Sequence, residues 1–145
     1  MPGITNPTEE YFKDGTWGWD GTRWRKANIF LNYYDRYADY ISDVDVTAGN
    51  HDENMTAVPA GYVYVVLAVS AYCSTATPTL ILLKVMMGAI DISIKLGSPV
   101  VEWVPVIFTG QLVLKAGDYI CGRFLGCGLH DDLYLRACGY KVAIS

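Results

Sequence analysis

Histidine is scarce in this chain of 145 residues, with only His51 and His130, and Gln111 is the sole glutamine. Charged residues are also sparse, at 18%. Two histidines far apart in sequence do not supply the several-histidine-plus-glutamate set of a β-barrel metalloenzyme. No G-x-S-x-G, H-E-x-x-H or phosphate-loop pattern occurs, which removes the familiar signatures of nucleophilic, metalloprotease and nucleotide chemistry. The four cysteines, Cys73, Cys121, Cys127 and Cys138, show no C-x-x-C spacing. Buried free thiols in a reducing cytosol are the preferred reading, with a disulfide or a zinc site as alternatives. The start, Met1-Pro2-Gly3-Ile4-Thr5-Asn6-Pro7, lacks the basic and apolar regions of a secretory signal. The apolar runs at 62–73 and 79–96 are interrupted by turn or polar residues, so no spanning helix is expected. A net charge of −4 argues against a nucleic-acid partner, because Arg23, Arg25 and Lys26 form the only basic cluster.

Apolar side chains, by contrast, are plentiful at 52%. A domain this small exposes a large fraction of its surface and has difficulty hiding that much apolar area. Either the core is tight and rich in aromatics, or part of the surface is covered in a homo-oligomer, which is the reading preferred here. The few amides faintly suggest life at high temperature.

Three of the four tryptophans, Trp17, Trp19 and Trp24, fall close together near the N-terminus. Their segment repeats itself as Asp14-Gly15-Thr16-Trp17 and Asp20-Gly21-Thr22-Arg23-Trp24, with turn-favouring Asp-Gly pairs and neither a helical nor a strand period. Residues 1–27 therefore read as an extended arm and 28–145 as the domain. Burying Ile4, Tyr11, Phe12 and the three tryptophans would remove roughly 900–1,300 Å² from water, on the order of 20–30 kcal/mol as an upper bound. Ordering the arm costs about 1–2 kcal/mol per residue in backbone entropy, a total of similar size. The arm should thus order only on a preformed surface. Tyr11, Phe12, Trp17, Trp19, Trp24, Arg23 and Arg25 are the candidate binding residues.

From Asn28 onward the pattern becomes that of strands. In 62–73 the odd positions Val63, Val65, Leu67, Val69, Ala71 and Cys73 are apolar and are expected to face the core. The even positions include Tyr62, Tyr64, Ser70 and Tyr72, suited to a face that is wet or packed on a neighbour. Ile90, Ile92 and Ile94 alternate with polar residues and predict a strand with one buried face. Further strands are read at 79–87, 106–114, 118–126 and 132–143. Residues 33–46 fit a strand better than the alternative short helix, and 47–57 read as a polar loop. Val58-Pro59-Ala60-Gly61-Tyr62 and Leu114-Lys115-Ala116-Gly117-Asp118-Tyr119 resemble each other as corner-to-strand units. The expectation is an all-β sandwich of jelly-roll type.

Candidate chemistry is thin. His51 sits in the polar stretch. His130, in Gly126-Cys127-Gly128-Leu129-His130-Asp131-Asp132, could pair with Cys127 as base and nucleophile, or hold a cation with Asp131 and Asp132; a hairpin turn with solvated acids is the commoner outcome. Asp91, Glu102, Asp118 and Asp131 could be assembled into the carboxylate pair of a glycosidase, as could acids in any acidic β protein. Exposed tyrosines and tryptophans could stack on sugars. No catalytic residue, metal ligand or cofactor is assigned.

Several of these segments resemble small bacteriophage structural proteins. The matching stretches are Asp20-Gly21-Thr22-Arg23-Trp24-Arg25-Lys26, Val58 to Tyr62, Leu114 to Tyr119, Gly126-Cys127, Asp131 to Leu135 and Gly139-Tyr140-Lys141. The resemblance is to capsid decoration (auxiliary) proteins, including those of long-tailed phages infecting Thermus. It implies a non-enzymatic homotrimer on the outer capsid of the virion, made in the host cytoplasm and bound to the major capsid protein, with no nucleic-acid or membrane partner. It also implies N-terminal arms that reach onto neighbouring proteins. The alternative is a receptor- or glycan-binding tail module reading its ligand through the loops near 47–57 and 127–132.

Overall fold

Alternating apolar residues and glycine corners build ten strands in a computed structural model that describes residues 34–144 together with the backbone of Trp17–Trp19 and Trp24–Lys26. The chain divides into two units, Met1–Asp35 and Arg36–Ser145. In the first, β1 (Trp17–Trp19) pairs with β2 (Trp24–Lys26) in an antiparallel ladder that sets Trp19 opposite Trp24 and Trp17 opposite Lys26. The stretch that showed no period thus contains two three-residue strands, too short for alternation to register. Tyr11, Phe12 and Arg23 lie outside the described residues, as do the side chains of Trp17, Trp19, Trp24 and Arg25.

Eight strands follow: β3 (Tyr34–Val46), β4 (Gly49–Asn54), β5 (Tyr62–Cys73), β6 (Leu80–Met87), β7 (Ile90–Gly97), β8 (Val106–Leu114), β9 (Tyr119–Cys127) and β10 (Asp131–Ala143). They form two four-stranded antiparallel sheets, ordered β3-β10-β5-β8 and β4-β9-β6-β7. Successive strands mostly alternate between sheets, which gives the interleaved Greek keys of a jelly roll. The two similar corner units meet: Val58 N–H donates to Asp118 O and Gly117 N–H to Val58 O, each at 2.9 Å. Gly61 (φ 84°) and Gly117 (φ 92°) take the left-handed backbone that those corners need.

Between the sheets lie Val66, Val69, Ala71 and Cys73 of β5, Leu133 and Leu135 of β10, Ile81, Leu83 and Val85 of β6, and Ile120 and Phe124 of β9. The simple alternation expected of β5 fails at Leu67. Ala68 pairs with Cys138 and Val66 with Gly139, so Leu67 is an extra residue with no partner in β10. This bulge exchanges the two faces of β5. Beyond it Val69, Ala71 and Cys73 face inward as read, whereas before it Tyr64 and Val66 do so and Leu67 is 43% exposed. Tyr64 accordingly packs on Tyr37, ring centroids 4.6 Å apart.

Residues 34–46 form a strand, the reading preferred over a short helix. Other expectations need correction. The polar loop at 47–57 contains β4, held not by apolar burial but by pairing with β9 and by a two-pronged Arg123–Asp52 bridge at 2.7 Å. On β7 only Ile94 packs against the core, while Ile90 and Ile92 are exposed. They alternate as read, but β7 ends its sheet and their side lies at the rim of the sandwich. Three cysteines are buried free thiols, as preferred from the sequence; Cys138, on the outer side of β10, is exposed.

The bulge brings backbones unusually close, since a Cβ on Gly139 would sit 2.0 Å from Val65 O. Gly139→Ala should therefore lower stability by about 3 kcal/mol, read as a fall in the urea midpoint with an unchanged slope. A neutral effect would mean that β5 and β10 can separate there at little cost.

Candidate interaction face

The register of β5 and β10 dictates what the outer side of the β3-β10-β5-β8 sheet carries. Tyr72 stands opposite Tyr134, Ser70 opposite Arg136, and Ala68 opposite Cys138. Paired residues share a face, and here the shared face points away from the core. The Tyr72 and Tyr134 rings stack at 4.7 Å between centroids, and the Arg136 guanidinium lies 5.5 Å above the Tyr72 ring.

Trp103 completes the cluster from the connection between β7 and β8, 6.1 Å from Tyr72 and 6.0 Å from Tyr134. Its backbone is left-handed at φ 58°, uncommon for a bulky residue. Two hydrogen bonds hold it: Trp103 N–H donates to Cys73 O at 2.9 Å, and Val104 N–H to Val101 O at 3.1 Å. That strained placement leaves the indole 56% exposed. Beside the aromatics a groove of about 500 Å³ crosses three strands. Ala38, Ala68, Ser70 and Cys138 line it with small side chains, flanked by Tyr40 and Arg136. Tyr40, Leu67, Ile107 and Val113 extend the exposed apolar area along the same sheet. Several large apolar side chains exposed on one sheet face are characteristic of a surface with a partner.

The residues proposed for chemistry are committed elsewhere. His130 Nδ1 bonds Asp45 Oδ1, and His130 N–H donates to Val46 O at 2.9 Å. Asp132 Oδ1 accepts the Asp45 N–H at 2.9 Å. Asp131 is buried and accepts from Thr75 Oγ1 and Gly128 N–H, both at 2.7 Å. Asp91 pairs with Lys84 at 2.7 Å, Asp118 Oδ2 accepts the Lys115 N–H at 2.9 Å, and Glu102 is exposed. Among the described residues Asp91, Asp118 and Asp131 are thus engaged in structural contacts, and the His130 ring is held by Asp45. Burial pushes the Cys127 thiol up to about 12, the wrong direction for a nucleophile. His51 lies on β4 rather than in a loop.

Of the face itself, Ser70 and Tyr72 were legible from the alternation in 62–73. Tyr134 was missed although it sits in a strand that the sequence did reveal, and Trp103 was masked by the conspicuous N-terminal cluster. No protein-family model and no curated protein matches the chain. A solved structure described as "CBM4 structure and function" aligns with 76% of this chain and 94% of its own at 16% identity and a TM-score of 0.31.

The cysteines offer a direct test of how the face is exposed. Burial raises Cys73, moves Cys121 to about 11 and Cys127 to about 12, so all three should remain protonated at pH 8. With this face uncovered, as in a separated subunit, iodoacetamide should label one thiol per folded chain and four after denaturation, and Cys138→Ser should abolish the reaction of the folded subunit, as counted by intact mass.

Proposed function

We propose that this chain is a non-enzymatic assembly protein, and that the outer face of the β3-β10-β5-β8 sheet binds copies of the chain. The observation that carries the reading is that face itself, where Tyr40, Leu67, Trp103, Ile107 and Val113 are all exposed on one sheet and its loop. Covering about 800 Å² per partner is enough for a specific interface, and aromatic anchors are its usual hot spots. The groove contributes shape for an inserted side chain rather than polar groups for a reacting one.

The resemblance to phage decoration proteins supplies the setting. In that reading three copies associate, sit on the outer surface of the capsid and strengthen the shell, and the tryptophan-rich arm grips the major capsid protein. The energy balance of the arm favours this division of labour, because its burial and its ordering cost are close and a preformed surface tips them. The exposed indole of Trp103 beside Tyr134 and Arg136 favours a second reading, a glycan-binding tail module, since a ring face next to a cation suits a sugar.

Ile107→Glu places a charge in the face without touching the core. It should dissociate the oligomer in sedimentation velocity while leaving the melting temperature of the subunit nearly unchanged; an unaltered sedimentation coefficient would reject the face as the contact. Deleting residues 1–26 should leave a folded oligomer that no longer pellets with expanded capsids. Full capsid binding by that truncation would remove the arm from the account. Saturable binding on a glycan array, lost in Trp103→Ala, would select the tail module instead.

A further inference from the structure

The edge between β3 and β4 carries a second cluster, on the opposite side of the domain's logic from the aromatic face. These strands begin different sheets and are joined by Thr47 and Ala48 alone. Asp43 comes from β3, and His51 and Glu53 come from β4. One ligand atom from each lies within 4.8 Å of the others, and all three side chains are half-buried. Strand periodicity explains the selection on β4. Residues 51 and 53 share one face, while Asp52 between them points the other way to Arg123.

A separate contact prepares the imidazole. His51 Nε2 lies 2.7 Å from the Thr47 carbonyl oxygen. A carbonyl only accepts, so Nε2 carries the proton and the Nδ1 lone pair of the neutral ring is left for a ligand. Metal-bound histidines are oriented in this way, with the non-ligating N–H held by a backbone carbonyl or carboxylate. The hydrogen bond comes from outside the cluster and serves no strand pairing.

We propose that Asp43, His51 and Glu53 form a divalent-cation site of the zinc class that ties one sheet to the other. One nitrogen and two carboxylate oxygens suit Zn²⁺, Co²⁺ or Mn²⁺, whereas Ca²⁺ and Mg²⁺ favour all-oxygen shells. The two carboxylates offset the cation's charge, and three protein ligands leave a position for water. Side-chain rotation has to draw donors that now lie within 4.8 Å of one another onto bonds of about 2.0–2.2 Å for zinc. The cation would bridge the two edge strands where no sheet hydrogen bond joins them.

The test uses the full chain carrying Cys138→Ser, so that the exposed thiol does not compete, first stripped with a chelator. Calorimetric titration with ZnCl₂ should show one site per chain, accompanied by a higher melting temperature, and MgCl₂ at the same concentration should do neither. Co²⁺ should bind with visible absorption bands typical of nitrogen and oxygen ligands. His51→Ala and Glu53→Gln should each weaken Zn²⁺ binding at least about tenfold, with circular dichroism confirming the fold. If either variant fails to fold, Asp43→Asn serves in its place. His130→Ala, which removes the only other histidine, should bind as the parent does. Failure of Zn²⁺ to saturate at one per chain, or binding that survives His51→Ala or is lost in His130→Ala, would overturn the site. None of these outcomes bears on the assembly face, which lies on different residues.

Discussion

The contact between the β10 backbone at Gly139 and the β5 backbone at Val65 governs much of this structure. With no side chain at 139, the two strands close around the extra residue Leu67, and β5 changes which of its sides is buried. Everything beyond the bulge depends on that exchange. It sends Ala68, Ser70 and Tyr72 outward to meet Cys138, Arg136 and Tyr134, while Tyr64 turns inward onto Tyr37. An unbulged β5 would place one of the two tyrosines on the wrong side at a cost in buried polar atoms or lost core packing.

The same contact clarifies what sequence patterning can reveal. Strong alternation located β5 and β7, and the glycines at 61 and 117 marked the corners that lead into β5 and β9. A single inserted residue leaves a pattern that is still alternating, so the bulge was invisible although the strand was not. β4 was read as loop because Gly49-Asn50-His51-Asp52-Glu53-Asn54 has no apolar residue to alternate, and its strand character comes from β9. Trp103 gave no local clue, because its position rests on a hydrogen bond to Cys73, distant in sequence, and on a left-handed backbone. His51 and Glu53 had visible strand spacing, but Asp43 joins them only through the meeting of two sheet edges.

Polar groups in this fold are mostly spent on holding loops. Asp131, Asp132, Asp45 and His130 knit the β9–β10 turn to the end of β3 and to Thr75, and two of them, Asp45 and His130, adopt left-handed backbones to do so. A site of reaction needs polar groups that are held but uncommitted. Among the described residues, the outer side of the β3-β10-β5-β8 sheet instead exposes large apolar side chains, and the proposed assembly role rests on that contrast.

The order of strands in the first sheet has a kinetic consequence. β3 is the first strand of its sheet in the chain, yet its hydrogen-bonded neighbour is β10, the last. During synthesis the inward residues of β3, Tyr37 and Ile41 among them, have no strand beside them until nearly the whole domain has emerged. Pairing of such distant segments requires closing a long loop before any contact repays it, so the sheet forms late and slowly. Until then an unpaired edge with an apolar side is open to strands of other nascent chains. Crowded synthesis of many copies is therefore the condition under which this topology is most exposed to mispairing, and the charged Asp35, Arg36, Asp39 and Asp43 spaced along β3 are placed to discourage it.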